Sequence, residues 1–414
     1  MNKTITLPPK ESKFQTVVLL LLSIYIFFGY LLPHNIPYII LVLSLISMVF
    51  YIMIKKSISF SYLQLLLIII FVIFIFDQLI LASYSNFPIN SMKTAIVRSA
   101  IIAIGIAFYT QGKWYKNGVK ILFLFSCIHM IFSLISFFLP SIFNNIILKV
   151  LPNNLSLNIS RFMSKGLYPG ITDQIGRNAF YITIGISIVF SELLAFGKSK
   201  SRYIILMLLF LTLLLTGKRG HLVANFMSIL FVSSVYSKIN GKSIILNLLK
   251  ILLSILTVFI VMINIFPESA APIVRFIERI GGDLTSGRIF LYKKAIELFE
   301  QKPLFGWGPG VFNNMFETGT HNLYLQLLCE NGMVGFTLFC SILVINLTYS
   351  LKKVKQNFSI QNKNYDYYLI FSLYIQIFYI VYGLTGNPLN DGFILLLYLI
   401  ASSIQHTLKY IKSI

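Results

Sequence analysis

Apolar stretches close to the roughly 20 residues needed to cross about 30 Å of hydrocarbon recur along the whole chain, separated by short polar connectors. Read as spans, they cover Gln15–Leu32, Ile36–Ile54, Phe60–Ala82, Met92–Thr110, Gly118–Leu139, Arg177–Phe196, Arg202–Thr216, Gly220–Tyr236, Ser243–Phe266, Gly332–Leu351, Tyr367–Leu384 and Asp391–Leu408. None shows the alternation of a barrel wall. The pattern therefore predicts an all-α polytopic membrane protein of about twelve transmembrane helices, since lipid admits helices or closed barrels. The seventh span is short and its join to the eighth is tight. One segment is neither span nor connector. The chain accordingly divides into residues 1–266 with spans one to nine, 267–331 as a large extracytoplasmic loop with amphipathic helices, and 332–414 with spans ten to twelve.

Composition agrees with the pattern. Hydrophobic residues make up 57% of the 414 and charged residues 11%, against about 25% charged in a soluble domain. The net charge of +21 is largely a topology signal. With the N-terminus inside, every inside connector carries at least two basic residues, among them Lys55 and Lys56, Lys113 and Lys116, Lys198 and Lys200, Lys238 and Lys242, and Lys352, Lys353 and Lys355. That predicts an even number of spans with both termini cytoplasmic. No basic face interleaved with exposed aromatics accompanies the charge, which argues against nucleic acid as a partner and for anionic membrane lipid. Cys127, Cys329 and Cys340 have neither disulfide-framework nor zinc spacing. The basic N-terminal residues precede an apolar run without a small-residue cleavage site, the mark of an uncleaved first span.

The informative charges lie outside. Thr216-Gly217-Lys218-Arg219-Gly220-His221 places two cations and a histidine on the outer face in a short turn. Either they snorkel to lipid headgroups, or they form an anion site assisted by the helix N-terminus. The loop of residues 140–176 holds Arg161, Lys165 and Asp173, with Arg177 just beyond, facing a polar cavity or capping its helix against lipid phosphate. Lys93 and Arg98 also break the charge rule, and one or both would face the same outer cavity. Asp77 and His129 are single ionisable residues inside spans. Helix–helix hydrogen bonding suits His129, while the role of Asp77 stays open.

In the large loop, Ile273, Phe276, Ile277 and Ile280 recur at helical spacing and suit the membrane surface. After Gly281-Gly282, Ser286 would cap a second amphipathic helix over Arg288–Gln301, with Ile289, Tyr292, Ile296 and Phe299 on one face and Lys293, Lys294, Glu297 and Glu300 opposite. Arg288 in its first turn opposes the helix dipole. It would hold an anion or pair with Asp283. The run Leu304-Phe305-Gly306-Trp307-Gly308-Pro309-Gly310 offers backbone freedom and close approach of a ligand, but no Gly-Lys-Ser/Thr follows, so it is not a phosphate-binding P-loop. Thr320-His321-Asn322 then opens a helix over Leu323–Glu330 that runs through Asn331-Gly332 into span ten.

SGR…PLFGWGPGVF…HNLYLQLLCENGMVG and the earlier LTGKRG turn together resemble the bacterial O-antigen ligase/polymerase family, the Wzy-type polymerases and WaaL-type ligases. Lys218 stands where that family commonly has Ser. The resemblance implies a GT-C-like membrane glycosyltransferase of polysaccharide biosynthesis, acting at the outer face of the bacterial cytoplasmic membrane on undecaprenyl-pyrophosphate-linked glycans. It would polymerise repeat units into O-antigen or capsular polysaccharide, or alternatively transfer polymer to the lipid A core of lipopolysaccharide. A chain-length regulator protein would be a partner. The resemblance makes Arg219, Arg288 and His321 the catalytic residues; beside them Lys218, Arg177, Asn322 and Arg161 are expected to bind substrate. The residue chemistry agrees. The guanidinium fork matches phosphate oxygens, and a neutral histidine can accept the acceptor hydroxyl's proton. With no outer Asp-x-Asp pair, the expectation is an inverting transferase that uses neither metal nor cofactor. A transporter of the lipid-linked unit is a further alternative, but it should show paired, similarly interrupted halves, and none is visible. Sugar identity, linkage and oligomeric state leave no trace in the sequence.

Overall fold

A computed structural model describes residues 9–33, 35–54, 61–110, 114–197, 199–241, 243, 260, 264, 288–358 and 362–407. Among these residues the structure is helical, without strands. In chain order the helices are α1 (Pro9–Phe28), α2 (Ile36–Ile54), α3 (Tyr62–Ser83), α4 (Pro88–Thr110), α5 (Tyr115–Phe138), a bent helical stretch over 140–150, α6 (Asn153–Met163), α7 (Ile175–Phe196), α8 (Lys200–Leu215), α9 (Arg219–Ile239), α10 (Arg288–Gln301), α11 (Val311–Phe316), α12 (Leu323–Phe358), α13 (Lys363–Tyr382) and α14 (Gly392–Thr407). Every predicted span within the described residues coincides with one of these helices. The ninth, Ser243–Phe266, lies outside them, as do Ser286, Asp283 and the amphipathic stretch before them. By length and composition, α3, α4, α5, α7, α9 and α12 can each cross a membrane, and shorter apolar helices run over Thr16–Leu31, Ile36–Phe50 and Gly392–Thr407. The chain is thus a multi-pass membrane protein.

Burial sorts the helices into centre and rim. In the apolar window of α7, 78% of residues are buried, against 28% in α3, so α7 is central and α3 presents most of its surface outward. α13 packs against α7, α9, α12 and α14, and α14 packs against α4. Small residues allow the close approaches: a Cβ on Gly185 would stand 2.4 Å from Ser126 Oγ, and one on Gly105 2.7 Å from Leu399 Cβ. Packing of this kind drives association where surrounding lipid is as apolar as the helix surface.

Buried polar side chains are paired between helices. Gln376 Nε2 donates to Gln405 Oε1 at 3.0 Å, the Tyr109 hydroxyl donates to Asn346 Oδ1 at 3.0 Å, and Gln64 Nε2 donates to the carbonyls of Tyr109 (3.2 Å) and His406 (3.1 Å). His129, fully buried, meets the Phe27 carbonyl through Nε2 at 3.2 Å and lies among Phe27, Phe28 and Tyr181. Interhelical hydrogen bonding is therefore its role, as its position suggested. Asp77, solitary in the sequence, accepts from Asn331 Nδ2 at 3.2 Å.

α12 is broken. Gly332 has φ +61° and ψ −165°, which is not helical, so a half-helix of 323–331 meets a longer one at a break where the sequence reading let the helix run through Asn331-Gly332. A break leaves carbonyls on one side and amides on the other without helical partners, and at membrane depth these must be satisfied by protein. Residues 303–308 do so. Trp307 N donates to Cys329 O (3.0 Å) and Gly308 N to Glu330 O (2.8 Å); Met333 N donates to Pro303 O (2.8 Å) and Val334 N to Leu304 O (3.1 Å). This gives the glycine run a purpose different from the expected approach of a ligand. Gly306 and Gly308, both at positive φ, let the chain press its own backbone against the break; a Cβ on Gly306 would lie 2.5 Å from the Glu330 carbonyl carbon.

Candidate active site

Segments distant in sequence meet at one end of the bundle: the start of α7, the α8–α9 turn, the start of α10, the 320–322 turn and the 383–391 loop. The α8–α9 turn is built locally. Gly217 sits at φ +65° and its amide donates to Leu214 O at 2.9 Å, while the Thr216 hydroxyl accepts from Lys218 N at 3.3 Å. Lys218 is then the N-cap of α9 and Arg219 its first residue. Gly220 lets this end reach the 383–391 loop, since a Cβ there would stand 2.6 Å from Thr385 Oγ1, and Gly176 leaves room for the Lys218 side chain.

Arg177, in the first turn of α7, pairs with Asp173 at 2.7 Å and lies between the rings of Tyr30 (5.4 Å) and Phe393 (5.3 Å). Arg288 Nη1 donates to Thr385 O at 3.3 Å; the alternative partner Asp283 is outside the described residues. Burial lowers the pKa of Lys218, Arg288 lowers it further, and Asp391 opposes both. Burial, then Arg288, then Lys218 hold His321 below the ordinary imidazole range. Asp391 is pushed up to about 6, mainly by burial, with Arg177 and Lys218 pulling it down and Asp173 raising it. These mutual effects bring Arg177, Lys218, Arg288, His321, Asp173 and Asp391 into one electrostatic unit.

His321 has φ +55°, a left-handed conformation uncommon for a side-chain-bearing residue but enriched for His. Its neighbours hold it there. Thr320 is buried, its hydroxyl 2.7 Å from Asn322 O and 3.1 Å from Asn322 N. Asn322 Oδ1 accepts from the amides of Tyr324 (3.0 Å) and Leu325 (3.1 Å), a side-chain cap on α12. Asn322 thus stands beside the site with its carbonyl oxygen engaged in capping. Arg161 is exposed in the last turn of α6.

Several expectations need correction. Arg98 does not face an open cavity: it is buried against Glu330 at 3.3 Å. Lys93 lies 5.6 Å above the Tyr38 ring. The packed face of α10 is not Ile289, Tyr292, Ile296 and Phe299. Ala295 and Leu298 are buried, with Leu291 and Phe299 beside them, whereas Ile289 and Ile296 are 50% and 45% exposed. Trp307, Phe312 and Cys329 supply the partner surface, which the periodicity of α10 alone could not show. The sequence reading also passed over Asp391, Thr385 and Tyr382. Asp391 looked like an ordinary acid at a helix start, and only the fold brings it to Arg177 and Lys218. His221 packs 4.3 Å from the Tyr382 ring just beneath the cluster. Among the described residues, no group of three or more His, Cys, Asp or Glu is placed to hold a metal ion.

The structure is thus a helical membrane bundle with a cationic cluster and a histidine at one end. Residues 204–340, about a third of the chain, match the family model described as O-antigen ligase. This range holds Lys218, Arg219, Arg288 and His321, so the part of the chain that carries them is similar to that family. No curated protein matches the chain.

Proposed function

We propose that the protein transfers glycan from an undecaprenyl-pyrophosphate carrier, polymerising oligosaccharide repeat units at the outer face of the cytoplasmic membrane. One observation carries this reading: Arg177, Lys218 and Arg288, from three separate segments, share an electrostatic site with a histidine biased to its neutral form.

The chemistry assigns each residue a part. As the C1–O bond to phosphate breaks, the pyrophosphate leaves with the electron pair and gains negative charge. Arg288 and Arg219 hold that charge through paired N–H donors, and Lys218 and Arg177 add to the field. The acceptor hydroxyl attacks C1 from the opposite side, which inverts the anomeric centre, and its proton passes to His321. Burial, and after it Arg288 and Lys218, bias His321 toward its neutral form before the step. Asn322 orients the turn that carries His321, and Arg161, further out, suits contact with the glycan. Arginines serve here where other transferases use a divalent metal, so the reaction is metal-independent.

A second reading, ligation of finished polymer to lipid A core, is favoured by the description of the matching family model, O-antigen ligase. Purified protein given lipid-linked repeat units should lengthen them, and should continue in excess chelator. Lengthening that stops with chelator and returns with magnesium would remove arginine-for-metal catalysis. A deletion strain separates the two readings: single repeats on an intact core indicate a lost polymerase, and polymer stranded on the carrier indicates a lost ligase.

A further inference from the structure

The proposed chemistry leaves one buried ion pair unused. Arg98 on α4 and Glu330 beside the break in α12 are 3% and 1% exposed and 3.3 Å apart. Arg98 Nη1 also donates to Gln78 Oε1 on α3 at 3.0 Å, and Nη2 donates to Asn390 Oδ1. Beyond Glu330 the bonding continues: its Oε1 accepts from Gln326 Nε2 at 2.9 Å, and Gln326 Oε1 lies 3.3 Å from the Thr320 hydroxyl. That hydroxyl is also 3.2 Å from Asn387 Oδ1. Thr320 immediately precedes His321, and Asn390 immediately precedes Asp391. One guanidinium therefore connects two of the segments at the site, the 320–322 turn and the 383–391 loop.

A buried ion pair is a poor stabiliser, because desolvation offsets its attraction and apolar residues of similar volume often hold a core as well. What an apolar pair cannot do is fix several partners in relative position, as the planar fork of arginine does. The Gly332 break makes such fixing necessary. The half-helix carrying the 320–322 turn lacks a continuous backbone ladder to the rest of α12. Its placement rests on residues 303–308, on α10 packed against Leu325 and Cys329, on Leu323 N and the Tyr324 hydroxyl donating to Gly383 O and Ile380 O of the α13 end, and on this chain of side chains, which ties it to α4 through Arg98.

We propose that Arg98 and Glu330 are positioning residues: together they set the 320–322 turn against the 387–391 loop and so aim His321 at the cationic cluster. The proposal rests on the transferase reading for its kinetic consequence, though not for its structural one. The test uses the purified full chain as Arg98→Met, Arg98→Lys and the double variant Arg98→Met/Glu330→Gln, which leaves no charge unpaired. Three quantities are measured: kcat and KM for the lipid-linked donor, melting temperature, and the rate at which diethyl pyrocarbonate modifies each histidine, read by peptide mass spectrometry. A misplacement of about 1 Å can cost on the order of 100-fold in rate. Arg98→Met should therefore lose about that much kcat with donor KM little changed, and Arg98→Lys should recover only part of it. The double variant should regain melting temperature without regaining kcat. The His321 modification rate should change several-fold in Arg98→Met, while His129 and His406, buried elsewhere, keep theirs. Recovery of kcat in step with melting temperature, or a His321 rate that merely follows His129 and His406, overturns the proposal. If the unaltered protein transfers no lipid-linked glycan, the functional reading falls, and the histidine comparison still decides the positioning role.

Discussion

His321 combines a left-handed backbone with a side chain among cations, and each of the two has a consequence. The cations favour neutral imidazole, so it can accept a proton at pH 7. Asp391, pushed up to about 6, is ionised there and takes up its proton as pH falls. Activity that requires neutral His321 and ionised Asp391 should therefore fall in acid, with a midpoint no lower than the Asp391 titration at about 6. A pH profile of kcat/KM checks this: Asp391→Asn should move the midpoint lower, and an unmoved midpoint would count against its part. Among the cations, Arg288→Lys should lose most activity despite keeping its charge, since an ammonium lacks the fork. The loss should be about 10²–10³ in rate, and Arg219→Ala should be at least as harmful. His321→Ala should lose roughly 10²–10⁴ while still binding donor. Lys293→Ala and Lys294→Ala are the controls: Lys293 is exposed and Lys294 already pairs with Glu297 at 2.7 Å. Polymer length on gels at matched membrane abundance ranks the variants. Failure of the lysine variants with Arg288→Lys still active would put the site elsewhere.

At the level of elements, the break in α12 is the feature on which the site depends. A Cβ at Gly332 would lie 2.3 Å from Leu304 O, at a φ of +61°. Gly332→Ala should therefore destabilise by at least about 2 kcal/mol, from strained backbone and displaced loop together. Thermal unfolding in detergent checks it, and an unchanged melting temperature would mean that the 303–308 loop yields easily. The helices were legible in the sequence, because the hydrophobic period is a local signal; the break was not, because Gly332 leaves the helix only where residues 303–308 supply its backbone partners. Nor was pairing. Asp77 with Asn331, Arg98 with Glu330, and Asp391 with Arg177 and Lys218 join residues whose sequence neighbours carry no trace of the partner. The same limit applied to α10: its apolar residues were visible, but which of them face protein depends on Trp307, Phe312 and Cys329 arriving from elsewhere.

In the whole molecule, the cluster gathers at one end and the lysine-rich connectors at the other. Asn313 belongs to the first end, next to Gln326 at 3.4 Å, and Gln356 to the second, near the end of α12. If positive connectors lie inside, an impermeant thiol reagent applied to whole cells should label Asn313→Cys and spare Gln356→Cys, in a background free of Cys127, Cys329 and Cys340. The reverse pattern would turn the site toward the cytoplasm.

The buried amides of α13 and α14 bear on biogenesis. Gln376 donates to Gln405, and the pair draws in Ser350, Ser372 and Asn346 from α12 and α13. Gln64 on α3 reaches the His406 carbonyl across 342 positions of sequence. Polar groups alone in lipid are costly. During synthesis α3 and α4 thus reach the membrane with acceptors and donors waiting for a hairpin made last. A nascent chain stopped before α14 leaves Gln64, Gln376 and Tyr109 short of the partners that α14 supplies. The last sixteen described residues therefore act as the latch on the assembly, closing helices inserted long before them.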